Sequence, residues 1–170
     1  MKFICNIINC WNLFLGRVTA WLLFASVLVS AGNAILRKAF SIGSNSMLEL
    51  QWYLVGTVVM LGCAWVIQED GHVRIEIFAG RMPRSIRKWV ELLGHLLMLL
   101  PFAGLLLCLS WPFFVRSFEL NEVSLSSGGL LVWPIRGIIV LGFATIVAQA
   151  LVAVLATLQT GKEEVDHNVD

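Results

Sequence analysis

The sequence predicts an all-α membrane protein with four transmembrane helices. Of its 170 residues, 58% are hydrophobic and 14% are charged, whereas a soluble domain carries about 25% charged residues. The charges are clustered, so four long stretches carry none. Each stretch is close to the length of about 20 apolar residues that a helix needs to cross the hydrocarbon. Helices are favoured because backbone groups in lipid must be hydrogen-bonded within the segment. The four stretches, which are the predicted spans, are approximately 18–36, 50–68, 92–115 and 137–161.

These stretches leave little chain for anything else, so we expect one transmembrane domain over residues 1–170. Residues 162–170 form a short acidic tail. The apolar beginning of the chain, followed by the small residues Ala31-Gly32-Asn33-Ala34, resembles a signal peptide with a cleavage site. The apolar run is longer than the 7–15 residues typical of a signal peptide, and a charged residue, Arg17, directly precedes it. We therefore expect the first span to be retained.

The ends of the spans carry residues suited to such positions. The segment Ser46-Met47-Leu48-Glu49 has the pattern of a capping box at the start of the second span. Pro101 lies inside the third span and predicts a kink. Tryptophan prefers the membrane–water interface. We therefore interpret three tryptophans near span ends, Trp52, Trp111 and Trp133, as interface anchors.

The distribution of basic residues predicts the orientation of the spans. Lys and Arg favour the cytoplasmic side. One side of the four-span arrangement carries eight of them and the other side four, so both termini and the loop between spans two and three should be cytoplasmic. The first side has Lys2, Arg17, Arg74, Arg81, Arg84, Arg87, Lys88 and Lys162, and the second has Arg37, Lys38, Arg116 and Arg136.

The cytoplasmic loop between spans two and three is the candidate contact region for lipid or a partner. Residues 72–78 alternate polar and apolar side chains, which is typical of either a short strand or an in-plane amphipathic helix. The basic run that follows suits anionic headgroups. The candidate contact residues are His72, Arg74, Glu76, Arg81, Arg84, Arg87 and Lys88.

The sequence lacks the combinations of residues that catalysis, metal binding or cofactor binding would require. We therefore expect no catalytic, metal-binding or cofactor-binding site. Only His95 lies within a span, whereas haem ligation in a bundle needs axial ligands inside the helices. His95 is four residues from Glu91, which favours a helical pair over a proton relay. No charge lies near a span midpoint, as a self-sufficient exporter would require. The polar residue at the midpoint of the last span, Gln149, is expected to bond a neighbouring helix. The net charge of +1 gives no case for nucleic acid.

A set of short motifs in fixed order resembles one family of transporter subunits. Glu49 and Gln51-Trp52 open the second span, and Asp70-Gly71-His72-Val73-Arg74-Ile75-Glu76 follows it. The third span closes on Ser110-Trp111-Pro112-Phe113, and Gly128-Gly129 precede Trp133-Pro134-Ile135-Arg136. Over residues 12–160 this order resembles the small membrane subunit, the Q component, of tripartite ATP-independent periplasmic (TRAP) transporters. Two positions depart from the family: related chains often have arginine where Gln68 stands and aspartate where Glu76 stands.

The resemblance implies a subunit of a sodium-coupled secondary transporter, not an enzyme, in the bacterial inner membrane. Its partners would be a large membrane subunit, a periplasmic solute-binding protein that captures carboxylate-type solutes, and phospholipid. The small subunit would scaffold the large one. A membrane anchor or assembly factor remains an alternative, and a four-helix membrane oxidoreductase is a weaker one.

Overall fold

Four long helices form the protein, as the sequence predicts. The computed structural model describes residues 2–40, 44–68, 89–90, 92–126 and 129–166. The helices are α1 (Lys2–Phe40), α2 (Asn45–Gln68), α3 (Leu100–Glu119), which a π-helical turn (Gly94–Leu99) precedes, and α4 (Trp133–Asp166). All four, with the third counted from Gly94, are long and apolar enough to cross a membrane. The predicted spans 18–36, 50–68 and 137–161 each lie within one of these helices.

The helices pack in the spatial order α1, α2, α4, α3. Helix α1 packs mainly against α2, α2 against α4, and α4 against α3. Helix α4 is the most enclosed: 44% of its apolar stretch is buried, against 6% for the third helix. The small core cluster lies where α4 meets its neighbours and contains Ala64, Ile67, Ala103 and Ile146.

The third helix changes its hydrogen-bonding pattern just before Pro101. The amide of Leu100 bonds to the carbonyl of His95, five residues back, at the end of the π-helical turn. A proline ring clashes with the carbonyl four residues earlier in a regular α-helix and cannot donate to it. A π-helical turn is one of the known causes of a sharp bend in a helix. The irregularity therefore lies at the position where the sequence predicts a kink. Glu91, the expected partner of His95, lies outside the described residues.

Helix α1 buries a row of small polar side chains and exposes many of its large apolar ones. Four buried polar residues recur every seven positions, and four exposed apolar residues recur two positions after them. A seven-residue repeat is typical of long helices that cross at about 20°. The polarity is reversed from that of a helix on a soluble protein, so the exposed face of α1 suits an apolar medium. The buried residues are Asn12, Thr19, Ser26 and Asn33, and the exposed ones are Phe14, Trp21, Leu28 and Ile35.

Two glycines fix the close approach of the helices. A Cβ at Gly16 of α1 would lie 2.8 Å from Cγ of Trp65 on α2. A Cβ at Gly142 of α4 would lie 2.8 Å from Cβ of Met60 on α2 and 3.1 Å from its carbonyl oxygen. Small residues allow such contacts in lipid.

Other small residues of α2 and α4 have mixed surroundings. Gly56 meets Ile135 across the α2–α4 contact, but a side chain at Gly62 would meet open space. On α4, Ala144 is exposed and Ala148 is partly buried. The tightest contacts are therefore at glycines 16 and 142, which the sequence pattern alone did not distinguish.

Candidate functional site

Two groups of side-chain hydrogen bonds join distant parts of the described chain, one near each end of α2. The first group, here called the loop-end cluster, consists of Glu49, Glu122, Leu130 and Arg136. The second, here called the amide cluster, consists of Asn9, Asn12 and Gln149.

An ion pair forms the centre of the loop-end cluster. Arg136, in the first turn of α4, bonds both carboxylate oxygens of Glu122, with Nη1 to Oε2 at 2.6 Å and Nη2 to Oε1 at 3.1 Å. The same Nη1 lies 3.4 Å from the carbonyl oxygen of Phe113 on α3. Both charged side chains are partly exposed, at 27% for Arg136 and 40% for Glu122. The two-pronged geometry therefore ties the loop after α3 to the beginning of α4.

The loop between α3 and α4 is folded back on itself. Asn121 adopts a positive φ of 46°, which asparagine tolerates better than most residues. Val123 and Leu131 then form an isolated antiparallel bridge. The amide of Val132 bonds the carbonyl of Glu122 at 2.9 Å, and the amide of Ser124 bonds that of Leu130 at the same distance. These bonds give the loop a defined shape.

Glu49 fastens this loop to α2. Its carboxylate oxygen Oε2 accepts a hydrogen bond of 2.8 Å from the backbone amide of Leu130, 81 residues away. Glu49 is buried, so this charge-assisted bond lies in a partly dry environment where it is stronger than in water. Helix α2 begins at Asn45, one residue before the expected capping residue Ser46. The long-range role of Glu49 was not visible in the capping pattern.

The amide cluster joins α1 to α4. Asn12 Nδ2 donates to Gln149 Oε1 at 2.7 Å, and Gln149 Nε2 donates to Asn9 Oδ1 at 3.4 Å. Asn12 and Gln149 are both almost completely buried. The expectation that Gln149 bonds a neighbouring helix is confirmed. Sequence reasoning missed Asn12, although its place in the seven-residue polar repeat of α1 is a signal that could have found it.

The level of the amide cluster follows from the contacts between α2 and α4. The contacts Glu49–Leu130, Gly56–Ile135 and Met60–Gly142 advance together along both helices. These parallel helices therefore keep a nearly constant offset, which sets Gln149 level with Gln68, the last residue of α2. The sequence places Gln149 near the midpoint of the last predicted span, and its depth in a membrane stays a prediction. Helix α4 continues past the level of Gln68 to Asp166, so the midpoint of α4 is not level with the midpoint of α2.

The interface anchors expected from the sequence occupy different surroundings. Trp52 and Trp111 are exposed. Trp133 is partly buried and packs edge-on against Phe118, with ring centroids 5.4 Å apart. Their role at a membrane interface stays a prediction. The seven expected contact residues, His72, Arg74, Glu76, Arg81, Arg84, Arg87 and Lys88, lie outside the described residues.

The described part of the chain has few polar groups arranged as a catalytic or metal-binding site would need. Within it, no three His, Cys, Asp or Glu side chains gather into a group that could hold a metal ion. In the ion pair of Glu122 with Arg136, the two charges neutralise each other. The arrangement of the described residues joins helices to one another and fastens a loop.

Long apolar helices with large side chains outward and polar groups inward define a small multi-pass membrane protein. A comparison with protein families matches residues 26–160 to the family described as "Tripartite ATP-independent periplasmic transporters, DctQ component". The match covers most of the chain, so the chain belongs to this family. It is a transporter component and not an enzyme, and a tripartite system implies a large membrane subunit and a solute-binding protein. No curated protein and no solved structure matches the chain.

Proposed function

We propose that this chain is the accessory subunit of a sodium-coupled TRAP transporter for carboxylate-type solutes, and that it scaffolds the large permease subunit. One observation carries the proposal: no Asp, Glu, Lys or Arg occurs in the stretches 18–36, 50–68, 92–115 and 137–161. Intramembrane charge marks ion and substrate paths in transporters. A chain without it is suited to support transport and not to conduct it.

The absence of charge in the predicted spans argues against a binding site for either sodium or the solute on this chain. A hard cation prefers several oxygen ligands, and transporters supply them from broken helices near the midplane. A carboxylate solute on a path through the membrane would need a cation or a helix N-terminus near the midplane, and the predicted spans contain no Lys or Arg. Arg136 is paired with Glu122 at the loop end of the bundle, and Gln149 is bonded to Asn12. Both binding sites are therefore assigned to the large subunit.

The packing supports a scaffold role. Helices α1, α2 and α4 are held by glycine contacts, the amide cluster and the loop-end cluster. A moving transport domain needs a fixed frame to work against, and a bundle bonded at both ends of α2 supplies one. The large exposed apolar faces would meet lipid on one side and the large subunit on another.

Reconstitution into liposomes tests the proposal. The cognate large subunit, the binding protein and a sodium gradient would be supplied with or without this chain, and uptake of labelled solute measured. We expect no uptake with this chain alone, little with the large subunit alone, and full uptake with both. Sodium-driven uptake by this chain alone would refute the scaffold role. Full uptake without this chain would instead favour the anchor or assembly-factor alternative.

We further propose that the chain lies in the bacterial inner membrane with both termini in the cytoplasm. The eight-to-four distribution of Lys and Arg supports this orientation. Leu125 is fully exposed in the loop after α3, so a Leu125→Cys variant offers a labelling site. The native Cys5, Cys10, Cys63 and Cys108 would first be replaced by serine or alanine. We expect an impermeant maleimide to label it from the periplasm. Labelling that requires permeabilised membranes would reverse the orientation.

The basic segment between spans two and three is proposed to contact phospholipid headgroups, with each basic residue contributing about 1 kcal/mol. Its candidate residues are His72, Arg74, Glu76, Arg81, Arg84, Arg87 and Lys88. Replacing Arg81, Arg84 and Arg87 with glutamine should lower the yield of the assembled complex and leave the solute profile unchanged. A changed solute profile would place this segment on the substrate path.

A further inference from the structure

A groove runs between α1 and α2 on the outer surface of the protein. It has a volume of about 470 Å³ and almost entirely apolar walls. Small residues, Gly16 and Ala20 on α1 and Gly62 on α2, lie among its larger lining side chains, and a Cβ at Gly62 would meet no atom within 4 Å. It extends over about 10 Å of helix at 1.5 Å per residue, roughly a third of the hydrocarbon thickness. Lining residues include Gly16, Ala20 and Leu23 of α1 and Val59, Gly62 and Val66 of α2.

A basic side chain with no ion pair among the described residues lies at one end of this groove. Arg17 directly follows the lining residue Gly16, and it is a surface neighbour of Ala20 because residues three apart share a helix face. Arg17 is exposed and has no ion pair with any residue that the structure describes.

The level of Arg17 places its charge near an end of the bundle. Gly16 faces Trp65, three residues before the end of α2. Side chains on a helix tilt toward its N-terminus, so the guanidinium of Arg17 points away from the middle of the bundle. A long basic side chain in this position reaches the headgroup level while its stem covers apolar surface.

The groove between α3 and α4 provides a contrast. It has a similar volume of about 440 Å³, and Arg136 is among its lining residues. There, however, the guanidinium is bonded to both carboxylate oxygens of Glu122. The charge of Arg136 is therefore already compensated, whereas no acidic residue in the part of the chain that the structure describes pairs with Arg17.

The geometry points to a site for one anionic phospholipid on this chain, with an acyl chain in the α1–α2 groove and its phosphate on Arg17. The apolar walls fit the acyl chain, and the free guanidinium complements the charge of the headgroup. A helix of a partner protein is the other conceivable occupant. The uncompensated cation at the groove's end favours the amphiphile with a negative head. The inference does not depend on which subunit carries solute or sodium.

Native mass spectrometry of the detergent-purified full chain tests the site. The probe is an equimolar mixture of dioleoyl phosphatidylglycerol and dioleoyl phosphatidylcholine. The wild type should retain one phosphatidylglycerol with about fivefold preference, the factor that one basic residue confers at a membrane surface. Arg17→Gln should remove the preference and keep lipid binding, whereas Gly62→Leu should fill the groove and lower retention of both lipids.

Matched variants separate this site from general effects. Arg116→Gln removes another exposed cation, and Gly104→Leu adds a side chain where no atom lies within 4 Å of the new Cβ. Both should behave as wild type. The inference fails if the wild type shows no preference, or if Arg116→Gln lowers the preference as much as Arg17→Gln. It also fails if Gly62→Leu retains lipid while losing copurification with the large subunit, which would assign the groove to a protein helix. Circular dichroism checks that each variant is folded. If Gly62→Leu does not fold, Arg17→Gln still tests the headgroup contact.

Discussion

The loop-end cluster and the amide cluster lie at opposite ends of α2 and join different parts of the chain by different chemistry. At the loop end, full charges are used: Glu49 accepts a backbone hydrogen bond, and Glu122 pairs with Arg136. At the other end, the contacts that join α1 to α4 are made by neutral amides. The ion pair is partly exposed, so water still reaches it, whereas Asn12 and Gln149 are almost completely buried. Burying a charge costs far more than burying a hydrogen-bonded amide. The ion pair therefore lies where water has access and the amide contact lies where it does not, whereas the buried carboxylate of Glu49 is held by a backbone amide.

The largest expected effect comes from loosening both ends at once. Gly142→Val would force atoms against the Met60 backbone, which cannot move aside as a flexible side chain could. Because the α2–α4 contact sets the register of both clusters, we expect a loss of about 3 kcal/mol in the free energy of unfolding. Unfolding in mixed micelles of increasing SDS fraction measures it. Gly104→Val is the control and should be nearly neutral, and equal losses for both variants would contradict the packing argument.

The next largest effect should come from Glu49 at the loop end. Glu49→Leu removes the acceptor of the Leu130 amide, and hydrogen bonds to charged groups contribute about 1.5–3 kcal/mol. We expect a loss of about 2 kcal/mol in the same assay and faster proteolysis of the loop after α3. Glu119→Leu, at an exposed position near the same end, is the matched control. An unchanged proteolysis rate for Glu49→Leu would show that the loop does not depend on this contact.

A smaller coupling is expected within the amide cluster. In a double-mutant cycle with Asn12→Ala and Gln149→Ala, the interaction free energy should be about 0.6–1.7 kcal/mol, the range measured for polar contacts between membrane helices. It should be insensitive to salt because both groups are neutral. Asn6→Ala, at an exposed position of α1, should show no coupling to Gln149→Ala. Coupling as large for Asn6 as for Asn12 would place the contact elsewhere.

The smallest effect should come from the ion pair. Both of its side chains are partly exposed, so a cycle with Glu122→Ala and Arg136→Ala should give a coupling of about 0.5 kcal/mol. Salt screens exposed charges, so this coupling should fall between 0.05 M and about 0.5 M NaCl, in contrast to the amide cluster. Equal salt dependence in the two cycles would remove the distinction between the two ends.

Some features of the two clusters could be predicted from the sequence, and others could not. The seven-residue spacing of Asn12, Thr19, Ser26 and Asn33 is a property of the sequence alone and would have indicated the buried face of α1. The pairing of Glu122 with Arg136 depends on a loop conformation that begins with the positive φ of Asn121. No local pattern specifies such a loop, because its shape depends on hydrogen bonds that close only when α3 and α4 are adjacent.

The sequence by itself determined the class of the protein, the number of its helices and the family to which it belongs. The class and the number of helices follow from the length and composition of uncharged stretches, because lipid accepts only segments that satisfy their own backbone groups. The family follows from short motifs in a fixed order along the chain and from the family match over residues 26–160. The tertiary structure decided which helices are neighbours, where Gln149 lies along the bundle, and what Glu49 binds. Hydropathy reflects the free energy of transferring each segment from water into lipid. Contacts between helices depend instead on the shapes of their surfaces and on residues that are distant in the chain. Sequence segments 81 or 137 residues apart meet only when the bundle is assembled.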